Sequence, residues 1–196
     1  MSPASRRATQ FTIERLDWAP WIETVTEIGL SDEELAAVYE QAPNAKGSPY
    51  FATLALDLPA LVERTGLFNN TMRSPGGGSN AERELAATAV SRINGCVYCA
   101  SVHAQRYVQY AKRPEVMDRL LEEGVDAPLN DAREQAIVDF SAKLTRNPAG
   151  LTSDDIKPLR VAGLTDLEIY DIAQSAAMFA WANRLMQTLG DAVYPQ

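Results

Sequence analysis

The chain has 196 residues, 46% of them hydrophobic, and 26 acids against 18 bases give it a formal charge of −8, so it can bury a core without disulfide or metal staples. Its acidic balance, with a pI near 4.7, repels polyanions and excludes nucleic acid as an expected partner. The longest apolar block, Ala176 to Ala182, is far shorter than the roughly 18 residues of a membrane span, which predicts no membrane partner.

Residues 1–10, MSPASRRATQ, are small, polar and basic and predict a loose arm. The pair Arg6-Arg7 has a twin-arginine look, but FTIERLDWAPW follows with charges where an export signal needs apolar residues, so the expected compartment is the cytoplasm. The segment TQFTIERL can be extended. Ser31-Asp32-Glu33-Glu34 has the spacing of a capping box and predicts a helix over about 31–42, ended by Pro43. Ser48-Pro49 and Asp57-Leu58-Pro59 each start a further helical segment.

The stretch Ser74-Pro75-Gly76-Gly77-Gly78-Ser79-Asn80 lacks the GKS/T ending and the GxGxxG spacing of phosphate loops, and no strand precedes it. It reads as a flexible linker that delivers Asn80 to cap a helix from Ala81 to about Ile93, with Leu85, Ala89 and Ile93 facing a core. Asn94-Gly95 breaks that helix, and Cys96 begins the next, which runs to Arg113-Pro114. Short helical segments follow over Glu115 to Glu123 and from an Asn130 cap to about Arg146. Thr152 opens another, and Thr165-x-x-Glu168 starts a long last helix ending near Gly190. The expected class is all-α, a compact multi-helix bundle of eight or nine helices with no convincing strand pair and with the CxxC pair at a helix N-terminus. We expect a single all-helical domain over 1–196, with an N-terminal helical part and Gly-rich linker at 1–78 and a core carrying the CxxC site at 79–196.

The chemistry concentrates in ERELAATAVSRINGCVYCASVH, which holds both cysteines and the only histidine. Two thiols at CxxC spacing can close a disulfide ring, and in a chain without a secretion signal they point to redox use rather than a scaffold. On a helix, Cys99 and His103 stand at i and i+4, about 5 to 6 Å apart at Cβ, so the imidazole can exchange a proton with that sulfur. The unpaired amides of the helix start favour instead a thiolate on Cys96. Three other readings compete. Haem attachment fails because Ala100, not histidine, follows the second cysteine. Zinc would have Cys96, Cys99, His103 and Glu84 as ligands but no second Cys or His pair, so neither metal nor cofactor is expected. The remaining alternative is two inert buried cysteines. Glu84 in a first helical turn also has a plain role toward the helix dipole, and Arg92 and Arg106 can compensate the local negative charge but read first as solvated surface.

The pattern Glu84-x11-Cys96-Val97-Tyr98-Cys99-x3-His103, with NRLMQTLG closing the helical half, resembles the alkylhydroperoxidase D-like (AhpD-like) family of the carboxymuconolactone decarboxylase-like superfamily, in its peroxidase-related branch. The resemblance covers about residues 80–190, and Asn94 and Tyr98 suit that branch. Better-known members carry a second histidine between the cysteines, where this chain has Tyr98, a side chain that donates a hydrogen bond but is a poor base at neutral pH. The resemblance implies a thiol-dependent hydroperoxide reductase, an antioxidant peroxidase in which Cys99 attacks the peroxide and Cys96 resolves the sulfenic acid to a disulfide. It further implies that Glu84 and His103 relay protons, and that the chain forms a homo-oligomer. Between the two thiols, Cys99 is favoured as attacker because the departing oxygen needs a nearby proton manager. The expected partners are a small hydroperoxide substrate and a thiol or dithiol reductant protein. The competing functions are a CxxC redox adaptor or sensor serving a partner protein, and a metal-dependent lyase or hydrolase.

Overall fold

The computed structural model of the chain describes residues 6–25, 31 and 33–195. Ser31 and Glu34 exchange the reciprocal bonds of the expected capping box, Ser31 N–H to Glu34 Oε2 at 2.8 Å and Glu34 N–H to Ser31 Oγ at 3.3 Å. They open turns that lead into α1, Ala36–Gln41, while Asp32 lies outside the described residues. Helix α2, Pro49–Leu54, is capped by Ser48, and α3, Leu58–Arg73, by Asp57.

The central helix α4, Asn80–Asn94, is capped one residue earlier than expected. Ser79 Oγ accepts from Glu82 N–H and Glu82 Oε2 accepts from Ser79 N–H at 2.7 Å, so a reciprocal box displaces the single Asn80 cap. Gly95 ends α4 at φ +79°, and the Cys96 amide closes a bond to Ser91 O at 2.9 Å. Helix α5, Val97–Ala111, follows with Cys96 as its N-cap residue. Then come α6, Pro114–Glu122; α7, Ala132–Arg146; and α8, Lys157–Val161. Asp131, not Asn130, caps α7, because its Oδ1 accepts both the Arg133 and Glu134 amides. Helix α9, Asp166–Leu189, starts at the expected Thr165–Glu168 box.

The fold is all-α, with α4 packed against α5, α7 and α9 at its centre. Leu85, Ala86 and Ala89 are fully buried on α4, where small side chains let the helices approach closely, and replacing Leu85 by alanine would cost about 2 to 5 kcal/mol. One departure from the expected absence of strands is a small sheet: β1, Asp17–Pro20, pairs antiparallel with β2, Gly190–Val193, placing Trp18 opposite Ala192. Gly190 is required there, since a Cβ would lie 2.4 Å from the Trp18 ring. The arm is also less loose than expected. Ala8 N–H bonds Ala192 O at 2.8 Å, Tyr194 N–H bonds Arg6 O at 3.0 Å, and Arg7 pairs with Asp191 at 2.8 Å. The first five residues lie outside the described ones.

The glycine-rich loop is pinned rather than flexible. Fully buried Arg83 donates to Ser74 O and Gly76 O, each at 3.0 Å, and pairs with Asp171 on α9 at 2.6 Å. Asp171 also accepts from the Gly78 amide. Among the described residues no helix is long and apolar enough to cross a membrane.

Candidate active site

The hairpin of α4 and α5 brings the four expected residues into one neighbourhood. Glu84 lies in the second turn of α4, and Cys99 and His103 lie one turn apart on α5, with Cys96 at its start. All four are buried, at 2 to 5% exposure. Glu84 does not point to solvent: its Oε2 meets His103 Nδ1 in a short hydrogen bond, and its Oε1 lies 3.9 Å from Arg106 Nη1. Arg106 is therefore part of this network, not only solvated surface. Arg92 likewise is engaged, donating to Leu121 O at 3.2 Å and stacking over Phe11.

Burial pushes the His103 pKa below its ordinary value, against the opposing pull of Glu84. The imidazole is thus neutral near pH 7, and because Nδ1–H is committed to the carboxylate, Nε2 is the basic nitrogen. The ring also packs against Phe179 at 3.9 Å between centroids.

Both cysteines are free thiols and lie in one buried cluster, where their side chains interact. This contact lowers the Cys96 pKa, with help from the Cys99 main-chain amide and the Asn183 side chain outweighing burial. The same contact and burial raise the Cys99 pKa well above the ordinary thiol value. The two sulfurs titrate as a pair, with the proton held on Cys99 and the negative charge favoured on Cys96. Access runs the other way. Cys99 and His103 line a cavity of about 720 Å³, while Cys96 sits behind, packed with Trp18 and Met186. Trp18 is held there by its indole N–H to Met186 O at 3.0 Å. Tyr98 also lines the cavity, and burial raises its pKa, so its hydroxyl remains protonated.

Asn183 was not singled out by the sequence. It is fully buried on α9, donates to Ser91 Oγ at 3.0 Å, and accepts from Asn94 Nδ2 at 3.1 Å. Its side chain also lowers the pKa of both thiols. The one available signal was a polar residue inside the apolar run that opens NRLMQTLG. Tyr50 and Arg64, from α2 and α3, reach the same cavity from more than 30 residues before the thiols. Among the described residues no group of three or more His, Cys, Asp or Glu side chains is arranged to hold a metal ion.

Residues 59–139, which include Glu84, both cysteines and His103, match the carboxymuconolactone decarboxylase family. Among solved structures, the chain is similar to an alkylhydroperoxidase AhpD core described as an uncharacterized peroxidase-related protein from Ralstonia eutropha JMP134, with 26% identity, 96% of this chain and 92% of that one covered, and a TM-score of 0.72. An uncharacterized peroxidase-related protein from Silicibacter sp. TM1040 matches at 27% identity, with 96% and 92% covered and a TM-score of 0.71. The debrominase Bmp8 shares the fold, at 18% identity, 81% and 87% coverage and a TM-score of 0.65. No curated protein matches.

Proposed function

The chain belongs to the AhpD-like carboxymuconolactone decarboxylase superfamily, and from that premise we propose that it is a thiol-dependent hydroperoxide reductase. The observation that carries this reading is the split between the sulfurs: Cys99 shares a cavity with His103, and Cys96 lies outside that cavity in the same buried cluster as Cys99.

The Cys99 thiol gives its proton to His103 Nε2 and its sulfur attacks the nearer peroxide oxygen. The O–O bond breaks, Cys99 becomes a sulfenic acid, and the departing alkoxide takes the proton from His103 and leaves as an alcohol. Glu84 stabilises the transient imidazolium through Nδ1. The Cys96 sulfur then attacks the sulfenic sulfur, hydroxide leaves with the thiol proton as water, and a disulfide forms. Two electrons from an external dithiol restore both thiols. Raised acidity on Cys96 suits a resolving thiol that must attack without its own base.

Burial of both sulfurs favours a small oxidant over the adaptor reading, in which a partner's disulfide must reach them directly. A thiol or dithiol protein as reductant, and a homo-oligomer formed through the apolar side chains Leu167, Tyr170 and Trp181 exposed on α9, complete the proposal. The test is consumption of cumene hydroperoxide by the protein with excess dithiothreitol. Catalytic loss of peroxide that disappears in Cys99→Ser supports the reading. A rate no greater than that of free cysteine contradicts it.

A further inference from the structure

The cavity above Cys99 carries a charge opposite to that of the chain. In a protein of net charge −8, its walls hold Arg15, Lys46, Arg64, Arg73 and Arg106 against one carboxylate, Asp17. Arg15 lies 3.8 Å from Asp17, and Arg106 lies 3.9 Å from Glu84. Arg64 and Arg73 have no ion pair among the described residues, although Arg64 is half-buried. Its guanidinium stacks over the rings of Phe68 at 4.6 Å, Phe51 at 5.7 Å and Tyr50 at 5.8 Å. Stacking satisfies the faces of the guanidinium and leaves its N–H edge in need of acceptors.

Two donors on this wall lack them. Arg64 Nε and the Tyr50 hydroxyl are both buried without a hydrogen-bond partner. Burial raises the Tyr50 pKa to about 12, so this hydroxyl keeps its proton and can donate. A buried donor left unmatched costs on the order of 1 to 3 kcal/mol, and an uncompensated cation more. An anion in the cavity would bring acceptor oxygens to a wall that lacks them. The rest of the wall, with Phe68 and Phe179, asks for an apolar body.

We propose that the cavity selects organic hydroperoxides that bear a carboxylate, the anion held by Arg64 and Tyr50 and the apolar chain running along Phe68 and Phe179 to Cys99. This inference rests on the hydroperoxide-reductase reading for its reaction but not for its binding. Arg73, 5.7 Å from the centroid of the same Phe68 ring, adds long-range attraction for the anion.

The experiment compares linoleic acid hydroperoxide with its methyl ester, scoring thiol loss in a single turnover. It also measures binding of the corresponding hydroxy acid and its ester to the reduced protein by isothermal titration calorimetry. The expected ratio of acid to ester is about tenfold or more in both rate and affinity, from a charge-assisted hydrogen bond in a partly buried site. Arg64→Gln brings both ratios to within about twofold, and Arg64→Lys keeps part of the preference. The ratio cancels any effect of Arg64 on thiol reactivity. Equal binding of acid and ester in the wild type, or an unchanged ratio in Arg64→Gln, overturns the proposal. If neither hydroperoxide, nor neutral cumene hydroperoxide, oxidises the thiols while the hydroxy acid still binds in an Arg64-dependent way, the carboxylate site stands and the reductase reading fails.

Discussion

Glu84 and His103 stand on opposite arms of the α4–α5 hairpin, and their buried side chains meet through Nδ1 and Oε2. The bond fixes which imidazole nitrogen is basic and ties the helix before the Gly95 break to the helix after it. Glu84→Gln keeps the shape and removes the charge that stabilises the imidazolium. We expect the rate of peroxide-dependent thiol oxidation to fall about 10- to 100-fold, with His103→Gln falling at least as far. Stopped-flow thiol oxidation checks this. An unchanged rate in Glu84→Gln would remove the carboxylate from the relay.

The same histidine sets a pH dependence of stability. Its folded pKa lies below the unfolded value of about 6.5, so above that pH both states are neutral and the group contributes no slope. As pH falls below about 6.5 the unfolded state binds the proton first, and stability declines by up to about 1.4 kcal/mol per pH unit until the folded pKa is reached. Urea unfolding of wild type and His103→Gln from pH 7.5 downward should show a shallower decline in the variant. Parallel curves would contradict the neutral buried imidazole.

Asn183 joins the thiols to α4. In Asn183→Ala the Ser91 and Asn94 side chains lose a partner, at a cost of about 1 to 3 kcal/mol, and the thiol pair loses a donor that favours the thiolate. The ultraviolet thiolate titration of the reduced protein should therefore move to higher pH. A titration that does not move would confine Asn183 to a structural role.

How much of this was legible before folding depends on distance along the chain. Cys96, Cys99 and His103 lie within two helical turns, so their shared face follows from helical period alone, and Glu84 follows from the hairpin at Gly95. Asn183, Tyr50 and Arg64 reach the thiols only through tertiary packing, which spacing does not encode. The caps at Ser79 and Asp131 were displaced by one residue, because a reciprocal or doubly accepting carboxylate outcompetes the asparagine beside it. The small sheet was hidden by its length of four residues per strand and by Pro20 at the end of β1.

Asp171→Ala leaves the Arg83 guanidinium buried and unpaired beneath the glycine-rich loop, and should destabilise the fold by about 3 to 5 kcal/mol. The double variant Arg83→Met with Asp171→Leu should recover much of that loss, because it removes the orphaned charge. Thermal melts of the three proteins decide this, and equal losses in single and double variants would place the energy in the loop's backbone contacts instead.

The order of the two sulfurs separates access from acidity. After brief peroxide exposure, a sulfenate trap should label Cys99 in Cys96→Ser, whereas Cys99→Ser should remain unlabelled at the same dose. Labelling of Cys96 alone would mean that acidity, not access to the cavity, selects the attacking thiol.

The proposed reductase requires Cys96 and Cys99 to act as one redox couple toward hydroperoxides. Its most direct test is a thiol titration of the fully reduced protein before and after one equivalent of an organic hydroperoxide. Both thiols per chain should be lost with formation of one equivalent of alcohol, and dithiothreitol should restore them. Retention of both thiols would contradict it.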